Sequence, residues 1–350
     1  MFPQSPVWLP PLLIFLFSFI VALTAAPLSV RLGHYWKLMD RPGGRRMHKE
    51  AIPRSGGIAL FLAFACGSGM ALMLWPPTNP EDMRRLLAVL VGSGIAFLFG
   101  LWDDQRELSA WPQFIAQAAV ALVATAGTVF IERFTNPWTG QLVIIPDLVP
   151  HLGWGIVIAI TVFWVMGMIN TVNWLDGLDG LAAGVGCIAA VLFAIHSFRL
   201  GQAEIALLPT ALAGACLGFL PFNFHPARVF MGTSGAMMLG YTLATLSILA
   251  PARIATALLV LGVPILDVAW IIVQRWRRGV SATQPGRDHL HHRLLEIGLT
   301  QRQIVALYYL LCMIFGVMAV VGPSPRFKLI ALGVLSVGVL SVLAWLSRKT

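Results

Sequence analysis

Residues 8–30, WLPPLLIFLFSFIVALTAAPLSV, form a run without one charged side chain. A helix rises about 1.5 Å per residue, so a run of this length covers the hydrocarbon of a bilayer. Lipid offers no partner for a backbone N–H or C=O, and a helix satisfies those groups within the segment. No basic stretch precedes the run. It therefore reads as a retained first span and not as a cleaved signal peptide.

The same pattern recurs to the end of the chain. Further apolar runs fall at 56–75, 84–101, 112–132, 153–169, 181–199, 204–222, 235–250, 253–273, 303–321 and 327–346. Together they predict about eleven membrane helices in one integral membrane domain spanning residues 1–350, an all-α polytopic transmembrane bundle. The eighth, 235–250, is short. The connection 133–152 is expected to form a small hairpin or a surface helix.

Composition supports a bilayer as solvent. Hydrophobic residues make up 58% of the chain, charged residues 11%, and the mean hydropathy is +0.80. So few charges cannot cover a water-soluble surface. The formal charge of +9 has no soluble domain on which to form a nucleic-acid face, so nucleic acid is excluded. Anionic headgroups and phosphate substrates are the matching partners. Cys66, Cys187, Cys216 and Cys312 lie within apolar stretches at no metal or disulfide spacing and read as small buried hydrophobes.

Lys and Arg set the expected orientation. With the N-terminus outside and the C-terminus cytoplasmic, the inner segments hold 17 of the 24 Lys and Arg residues. The acids Asp103, Asp104, Asp176, Asp179 and Asp288 fall on that same face, with His48, His225, His289, His291 and His292. Asp267 lies inside the ninth run, roughly two turns from its inner end. The chemistry is thus expected in loops 31–55, 102–113, 170–180, 223–235 and 274–302.

Four clusters stand out. Asp103-Asp104 follows the third run, and adjacent carboxylates favour a cation or a shared proton, although a solvated helix-end pair is the plain alternative. Asn170, Asn173, Asp176 and Asp179 recur every three residues, which stacks them along one side of a helical turn. An Asx turn explains one such residue but not four in register. Phe230-Met-Gly232-Thr233-Ser234-Gly235 offers free amides at a helix start, suited to an anion, and an aromatic ring. Arg287-Asp288-His289-Leu-His291-His292-Arg293 mixes imidazole with guanidinium, which favours phosphate over a metal ion. Carboxylates for Mg²⁺ beside Arg and His for a pyrophosphate are what phosphoryl transfer at a membrane surface requires.

With these residues in place, the stretch from Asp40 to Leu299 resembles the polyprenyl-phosphate N-acetylhexosamine-1-phosphate transferases. The resemblance rests on Asp40-Arg-Pro, His48, Ile52-Pro-Arg-Ser-Gly-Gly57, the Asp-Asp pair, Asn-x-x-Asn-x-x-Asp-Gly-x-Asp-Gly-Leu, Phe-Met-Gly and His-Leu-His-His. The spaced histidines look like the branch using UDP-GlcNAc or related UDP-sugars; the muropeptide-transferring branch has adjacent histidines. The resemblance implies transfer of a sugar-1-phosphate from a UDP-sugar to undecaprenyl phosphate with release of UMP, in the bacterial cytoplasmic membrane, as the first membrane step of cell-envelope polysaccharide assembly. By the same resemblance Asp103 activates or orients the lipid phosphate and Asp104 supports it. Asp103, Asp104 and Asn173 hold Mg²⁺, with Mn²⁺ as the alternative. Asp179 and Phe230 hold the uracil, and Arg287, His289, His291 and His292 bind the pyrophosphate and sugar. His48, Asn170 and Asp176 complete the substrate-binding set. A homodimer is left open.

Two positions depart from the family pattern. Thr233 stands where the family usually has Asp, and Gln113 where it usually has Lys. One change removes a negative charge and the other a positive charge. Two rival readings remain: a relative that binds UDP-sugar or lipid phosphate without turnover, and a transporter of anionic lipid-linked substrates. Transporters place their charged sites near the bilayer midplane, whereas here they gather at one face.

Overall fold

The computed structural model describes residues 6–40, 51–249, 253–281, 288–322 and 324–347. Along the chain run α1 (Leu9–Tyr35), β1 (Met39–Asp40), β2 (Ile52–Pro53), α2 (Gly56–Leu74), α3 (Pro80–Arg106), α4 (Ala110–Ala126), β3 (Arg133–Thr135), β4 (Leu142–Ile144) and α5 (Ile145–Leu148). They continue with α6 (Gly153–Leu175), α7 (Leu181–Arg199), α8 (Ala203–Asn223), α9 (Gly232–Ile248), α10 (Arg253–Val260), α11 (Gly262–Arg277), α12 (Leu290–Glu296), α13 (Gln301–Val321) and α14 (Pro325–Leu346). Each apolar run contains a helix, although the run 112–132 is helical only to Ala126. Of the cysteines in these runs, Cys216 and Cys312 are buried as expected while Cys66 is exposed. Among the described residues, eight single helices are long and apolar enough to cross a membrane, and nine if α10 and α11 count as one span.

That count falls short of about eleven for local reasons. The run expected as one helix over 253–273 breaks at Leu261, and its two halves meet at 79°. Gly262 and Pro264 follow the break; a proline has no N–H to continue the ladder, and glycine tolerates the bend. α4 and α9 reach only 17 residues each. The connection 133–152 forms both of the expected shapes, the antiparallel hairpin β3–β4 and the short helix α5.

Helix ends are fixed by ordinary capping. Asn79 accepts the Glu81 N–H at 3.0 Å, with Pro80 opening α3, and Thr300 with Gln303 forms a reciprocal box at the start of α13.

α9 is the central helix. All but a few of its residues are buried, although Thr, Ser and Gly interrupt its apolar character. Surrounding protein replaces lipid here, so its hydroxyls are tolerated by bonding its own carbonyls, as Thr242 does to Met238 O at 2.7 Å. Neighbours approach it through small residues, since helices in lipid gain attraction by close backbone contact. A Cβ on Gly57 would stand 2.4 Å from Gly235 N, and one on Gly100 would stand 2.5 Å from Ser234 Cα. α1 and α14 lie at the other extreme, with only 28% of their apolar windows buried.

Consecutive helices alternate in direction, so the C-terminal ends of α1, α3, α6, α8 and α11 gather with the N-terminal ends of α2, α4, α7, α9 and α13. The two-stranded pair β1–β2 sits at this end, with Met39 opposite Pro53 and Asp40 opposite Ile52. Phe230 N donates to Pro53 O (2.8 Å), and Gly56 N to Phe230 O (2.9 Å), so α2 and the approach to α9 enter side by side.

Overpacking at such a contact costs about 1–3 kcal/mol. Gly100→Val should lower the thermal midpoint of the purified chain in detergent by several degrees, while Gly94→Ala, with only the tip of Phe61 nearby, should leave it nearly unchanged. Equal midpoints would show that α3 and α9 do not touch at this point.

Candidate functional site

Asp103 and Asp104 occupy the last turn of α3, both buried. α3 ends at Glu107 in a left-handed conformation (φ 47°), an uncommon state for a residue with a side chain. This turn folds the chain back so that Leu108 N donates to Asp103 Oδ1 at 3.1 Å. Gln113, from the first turn of α4, donates its amide to the same oxygen at 3.0 Å and to Leu108 O at 3.2 Å. A neutral amide thus serves Asp103 where the family resemblance led to a lysine.

Asp104 points to α9. Its Oδ1 accepts Thr233 N at 2.8 Å and its Oδ2 accepts Ser234 N at 3.0 Å. A carboxylate on two free amides at a helix start combines charge-assisted hydrogen bonds with the positive end of the helix dipole. Gly232 makes the approach possible: its φ is +69°, and a Cβ there would lie 2.7 Å from an Asp104 oxygen. The amides foreseen as an anion cradle are therefore already taken by the protein's own carboxylate.

The Asn/Asp series straddles the end of α6. Asn170 pairs with Gln117 of α4, donating to its Oε1 at 2.6 Å and accepting from its Nε2 at 3.4 Å. Asn173 makes no side-chain hydrogen bond among the described residues. Asp176, just past the helix, has no cationic partner among them either. Burial, then the like charges of Asp104 and Asp179, push its carboxyl well above the usual carboxylate range. Asp179 holds the next loop, with His225 Nδ1 2.7 Å from its Oδ2 and Ala227 N donating to the same oxygen at 3.1 Å. Asn223 reinforces this joint, accepting from Gly180 N at 3.2 Å and donating to Val229 O at 3.0 Å.

The histidine segment opens α12. His289 Nδ1 lies 3.1 Å from Asp267 Oδ2, and Leu290 N donates to Asp267 Oδ1 at 2.9 Å. α11 runs on to Arg277, so Asp267 lies deeper than two turns and still reaches the site. Trp174 meets His289 edge to face, with centroids 5.4 Å apart. His289 stacks on His291 at 5.4 Å, and His292 tilts onto His291 at 4.3 Å. His291 is buried, its Nε2 without a hydrogen-bond partner and aimed towards Gly177, where a Cβ would sit 2.5 Å away. Burial, then His292 and His289, hold its imidazole well below the ordinary value.

The structure thus joins Asp104, Asp176, Asp179 and the histidines through contacts or mutual charge. Phe230 is half-buried at the entry to α9. His48 and Arg287 lie outside the described residues. A polar cavity of about 850 Å³ opens beside Asp104, bordered by Lys37, Arg54, Arg106 and Glu107. Arg54 crosses it, reaching Glu107 at 3.0 Å and Asp40 at 4.0 Å. No group of three or more His, Cys, Asp or Glu side chains among the described residues is set to hold a metal ion. Sequence reasoning assigned no role to Asp267, Gln117, Trp174 or Asn223. For Asp267 the signal was present, since an acid within an apolar helix is a functional candidate. The other three are recognisable only by their partners.

Two outcomes follow from this geometry. Asp267→Ala leaves Leu290 N without its acceptor and His289 without its orienting carboxylate; a buried polar group left unpaired costs about 1–3 kcal/mol. A lower midpoint is expected, together with faster amide exchange at the start of α12, and unchanged exchange there would refute the anchoring role. His291 is held neutral when folded, so the folded chain binds fewer protons than the unfolded one. Its stabilising effect is complete above the ordinary value of 6.5 and is lost as pH falls below it. His291→Gln should flatten the decline of the thermal midpoint between about pH 7 and 5; identical slopes would refute this.

Comparison with known proteins agrees with the arrangement. The family described as Glycosyl transferase family 4 matches residues 86–251. The chain is 33% identical over 313 residues to the probable undecaprenyl-phosphate N-acetylglucosaminyl 1-phosphate transferase of Bacillus subtilis, covering 88% of this chain and 83% of that protein. It is 36% identical over 309 residues to the decaprenyl-phosphate N-acetylglucosaminephosphotransferase of Mycobacterium tuberculosis, covering 81% and 74%. The phospho-N-acetylmuramoyl-pentapeptide-transferase of Desulforudis audaxviator is 28% identical over 322 residues, covering 87% and 96%. A multi-pass helical bundle that gathers carboxylates, asparagines and histidines at one end, and shares a third of its residues with such enzymes over most of its length, belongs to the polyprenyl-phosphate N-acetylhexosamine-1-phosphate transferase superfamily.

Proposed function

We propose that this chain transfers N-acetylhexosamine-1-phosphate, GlcNAc-1-phosphate first among the candidates, from a UDP-sugar to undecaprenyl phosphate. An oxygen of the lipid phosphate forms the new bond to the sugar-bearing phosphorus, the pyrophosphate P–O bond breaks, and UMP leaves. Attack at phosphorus leaves the anomeric configuration unchanged. The observation that carries this reading is the meeting of Asp103, Asp104 and Asp176 with the histidine segment at one end of the bundle. The activities for which the B. subtilis and M. tuberculosis relatives are named support the choice of sugar and of a polyprenyl-phosphate acceptor.

The residues present fit a divalent cation. Among the described residues no cation stands beside Asp176, and burial with the like charges of Asp104 and Asp179 resists its ionisation, which a bound cation would relieve. Among the described residues one Asp103 carboxylate oxygen accepts no hydrogen bond and the Asn173 amide is uncommitted. Mg²⁺ needs only one or two carboxylates besides waters and substrate phosphates. Asp103, Asp104, Asn173 and Asp176 would hold it, and it would neutralise charge on the pyrophosphate. Mn²⁺ suits the same oxygens.

The protein's own groups then divide the work. Asp103, oriented by Leu108 N and Gln113, faces the acceptor phosphate. Arg54 and Lys37 border the cavity by which that phosphate arrives. Neutral His291, locked between His289 and His292, donates or accepts a hydrogen bond without adding charge. Phe230 offers a face to the uracil, and Asp179 shapes its loop through His225 and Ala227. His48 and Arg287 join the substrate-binding set. Loops 31–55, 102–113, 170–180, 223–235 and 274–302 form the active face of one domain, on the cytoplasmic side of a bacterial inner membrane.

Thr233 and Gln113 bear on whether turnover occurs. An Asp at position 233 would stand beside Asp104 and Asp176, deepening their repulsion, and a Lys at position 113 would answer it. Here both charges are missing together, and Gln113 still holds Asp103. This pairing favours an active site with rearranged charge over a relative that only binds.

The test uses the full chain with undecaprenyl phosphate, a panel of UDP-sugars and Mg²⁺ or Mn²⁺, following UMP and the lipid product. Asp176→Asn should lower turnover at least about 100-fold, the scale of losing one electrostatic group. The same change should raise the thermal midpoint in metal-free buffer, because it removes an uncompensated charge. The destabilising charge of Asp176 appears only as pH rises towards its raised folded value, so that gain should be larger at pH 8 than at pH 5. No UMP from the parent and activity from Thr233→Asp would overturn the reading in favour of an inactive relative.

A further inference from the structure

At the end of the bundle opposite the carboxylates, a cavity of about 450 Å³ lies between the start of α14, the last residues of α9, the helix α10 and the segment 128–137. Its walls are largely apolar, with Phe130, Leu258 and Leu332 among them. The hairpin β3–β4 borders it and is fastened to α14 by Arg326, which donates to Pro137 O at 3.2 Å and to Trp138 O. Leu329 both lines the cavity and is 39% exposed on the outer side of the bundle, where α14 meets lipid.

Lys328 also lines this space, and only 9% of it is exposed. Among the described residues no carboxylate stands within 4.0 Å of its ammonium, and the ammonium makes no hydrogen bond. The other charges near the cavity are already answered: Arg85 pairs with Glu81 at 2.7 Å and Asp82 at 3.3 Å, and Glu132 with Arg133 at 3.6 Å. Arg199 stands near enough to add positive charge to that of Lys328. A second polar group in the cavity lacks a partner as well. Thr128 Oγ1 is buried with no hydrogen bond, on a residue held at φ 63°, which is a strained conformation for a β-branched side chain.

A largely buried lysine whose ammonium faces an apolar cavity without a counter-charge is costly. This one also lies in the first turn of α14, where the helix dipole favours an anion and opposes a cation. One bound anion would relieve both penalties. The apolar walls set the rest of the ligand, since they gain nothing from a hydrated ion and much from a hydrocarbon chain. A volume of about 450 Å³ falls within the range of small-ligand sites, about 300–1,000 Å³, enough for part of a lipid and its phosphate.

We infer that this cavity binds an anionic amphiphile, its phosphate on Lys328 at the start of α14 and its chain among Phe130, Leu258 and Leu332. This is a lipid site separate from the catalytic end, and its occupancy tethers the hairpin and α14 to the core of the bundle.

The full chain, purified in uncharged detergent, should show a higher thermal midpoint on addition of phosphatidylglycerol, and a smaller change with phosphatidylcholine or inorganic phosphate. Lys328→Met should lose more than half of the phosphatidylglycerol shift, and Lys328→Arg should keep it. Equal shifts in the parent and Lys328→Met would overturn the inference. A Lys328-dependent shift produced by inorganic phosphate alone would also overturn it, by making the cavity a site for free anions. A readout independent of variants is photolabelling of the parent with phosphatidylglycerol carrying a diazirine on its acyl chain. Labels concentrated in 128–137 and 325–332 are expected, whereas even labelling along α1 and α14 would refute a defined site.

Discussion

The hydrogen bonds from Thr233 N and Ser234 N to the Asp104 carboxylate hold the polar end of the bundle together. They tie the last turn of α3 to the first turn of α9, and α9 is the helix around which the others pack. Without that carboxylate the opening amides of α9 would be buried without acceptors. With it, the positive end of a helix dipole meets a negative charge at short range. Gly232 and Gly100 have no side chain because the carboxylate and the α9 backbone occupy the space a Cβ would need. The entry of α2, bonded through Gly56 to Phe230, and the turn of Asp103 towards Gln113 are arranged around this clamp.

A division of labour among the carboxylates follows. Asp104 and Asp267 are structural anchors as much as chemical groups, each accepting from the start of a helix, α9 in one case and α12 in the other. Asp179 performs a related task for the loop 224–231. Asp176 alone among them has no donor or cation among the described residues, and Asp103 keeps one free oxygen. Asp176, and one oxygen of Asp103, are thus left unused by the scaffold among the described residues. A like-charged cluster costs stability, and such cost is the usual sign of a site shaped for a ligand rather than for the fold.

Much of this was legible in the sequence. Unbroken apolar runs dictate helices because the backbone has no other partner in lipid, and limits such as 56–75 or 181–199 lie within a residue or two of α2 and α7. The recurrence of Asn170, Asn173, Asp176 and Asp179 predicts a stack along one side of a helical turn, but α6 ends at Leu175 and leaves Asp176 and Asp179 beyond it. Other features were hidden. The bend at Leu261 depends on how Gly262 and Pro264 pack, and the sequence does not reveal that protein surrounds the short, hydroxyl-containing α9. The partners of Asp104 and Asp267 lie 129 and 22 residues away in the chain, and neither pairing leaves a local pattern.

The sequence by itself determined the solvent of this protein, the helices it can form and the face on which its polar chemistry collects. Those properties follow from hydropathy and run length, which are local. Only the tertiary structure decided which carboxylates are spent on helix starts, that Gln113 serves Asp103, and that among the described residues no carboxylate stands within 4.0 Å of Lys328 in a largely apolar cavity. Those facts depend on which groups meet across the bundle, and the energy of a charge in low dielectric is set by what lies within a few ångströms of it.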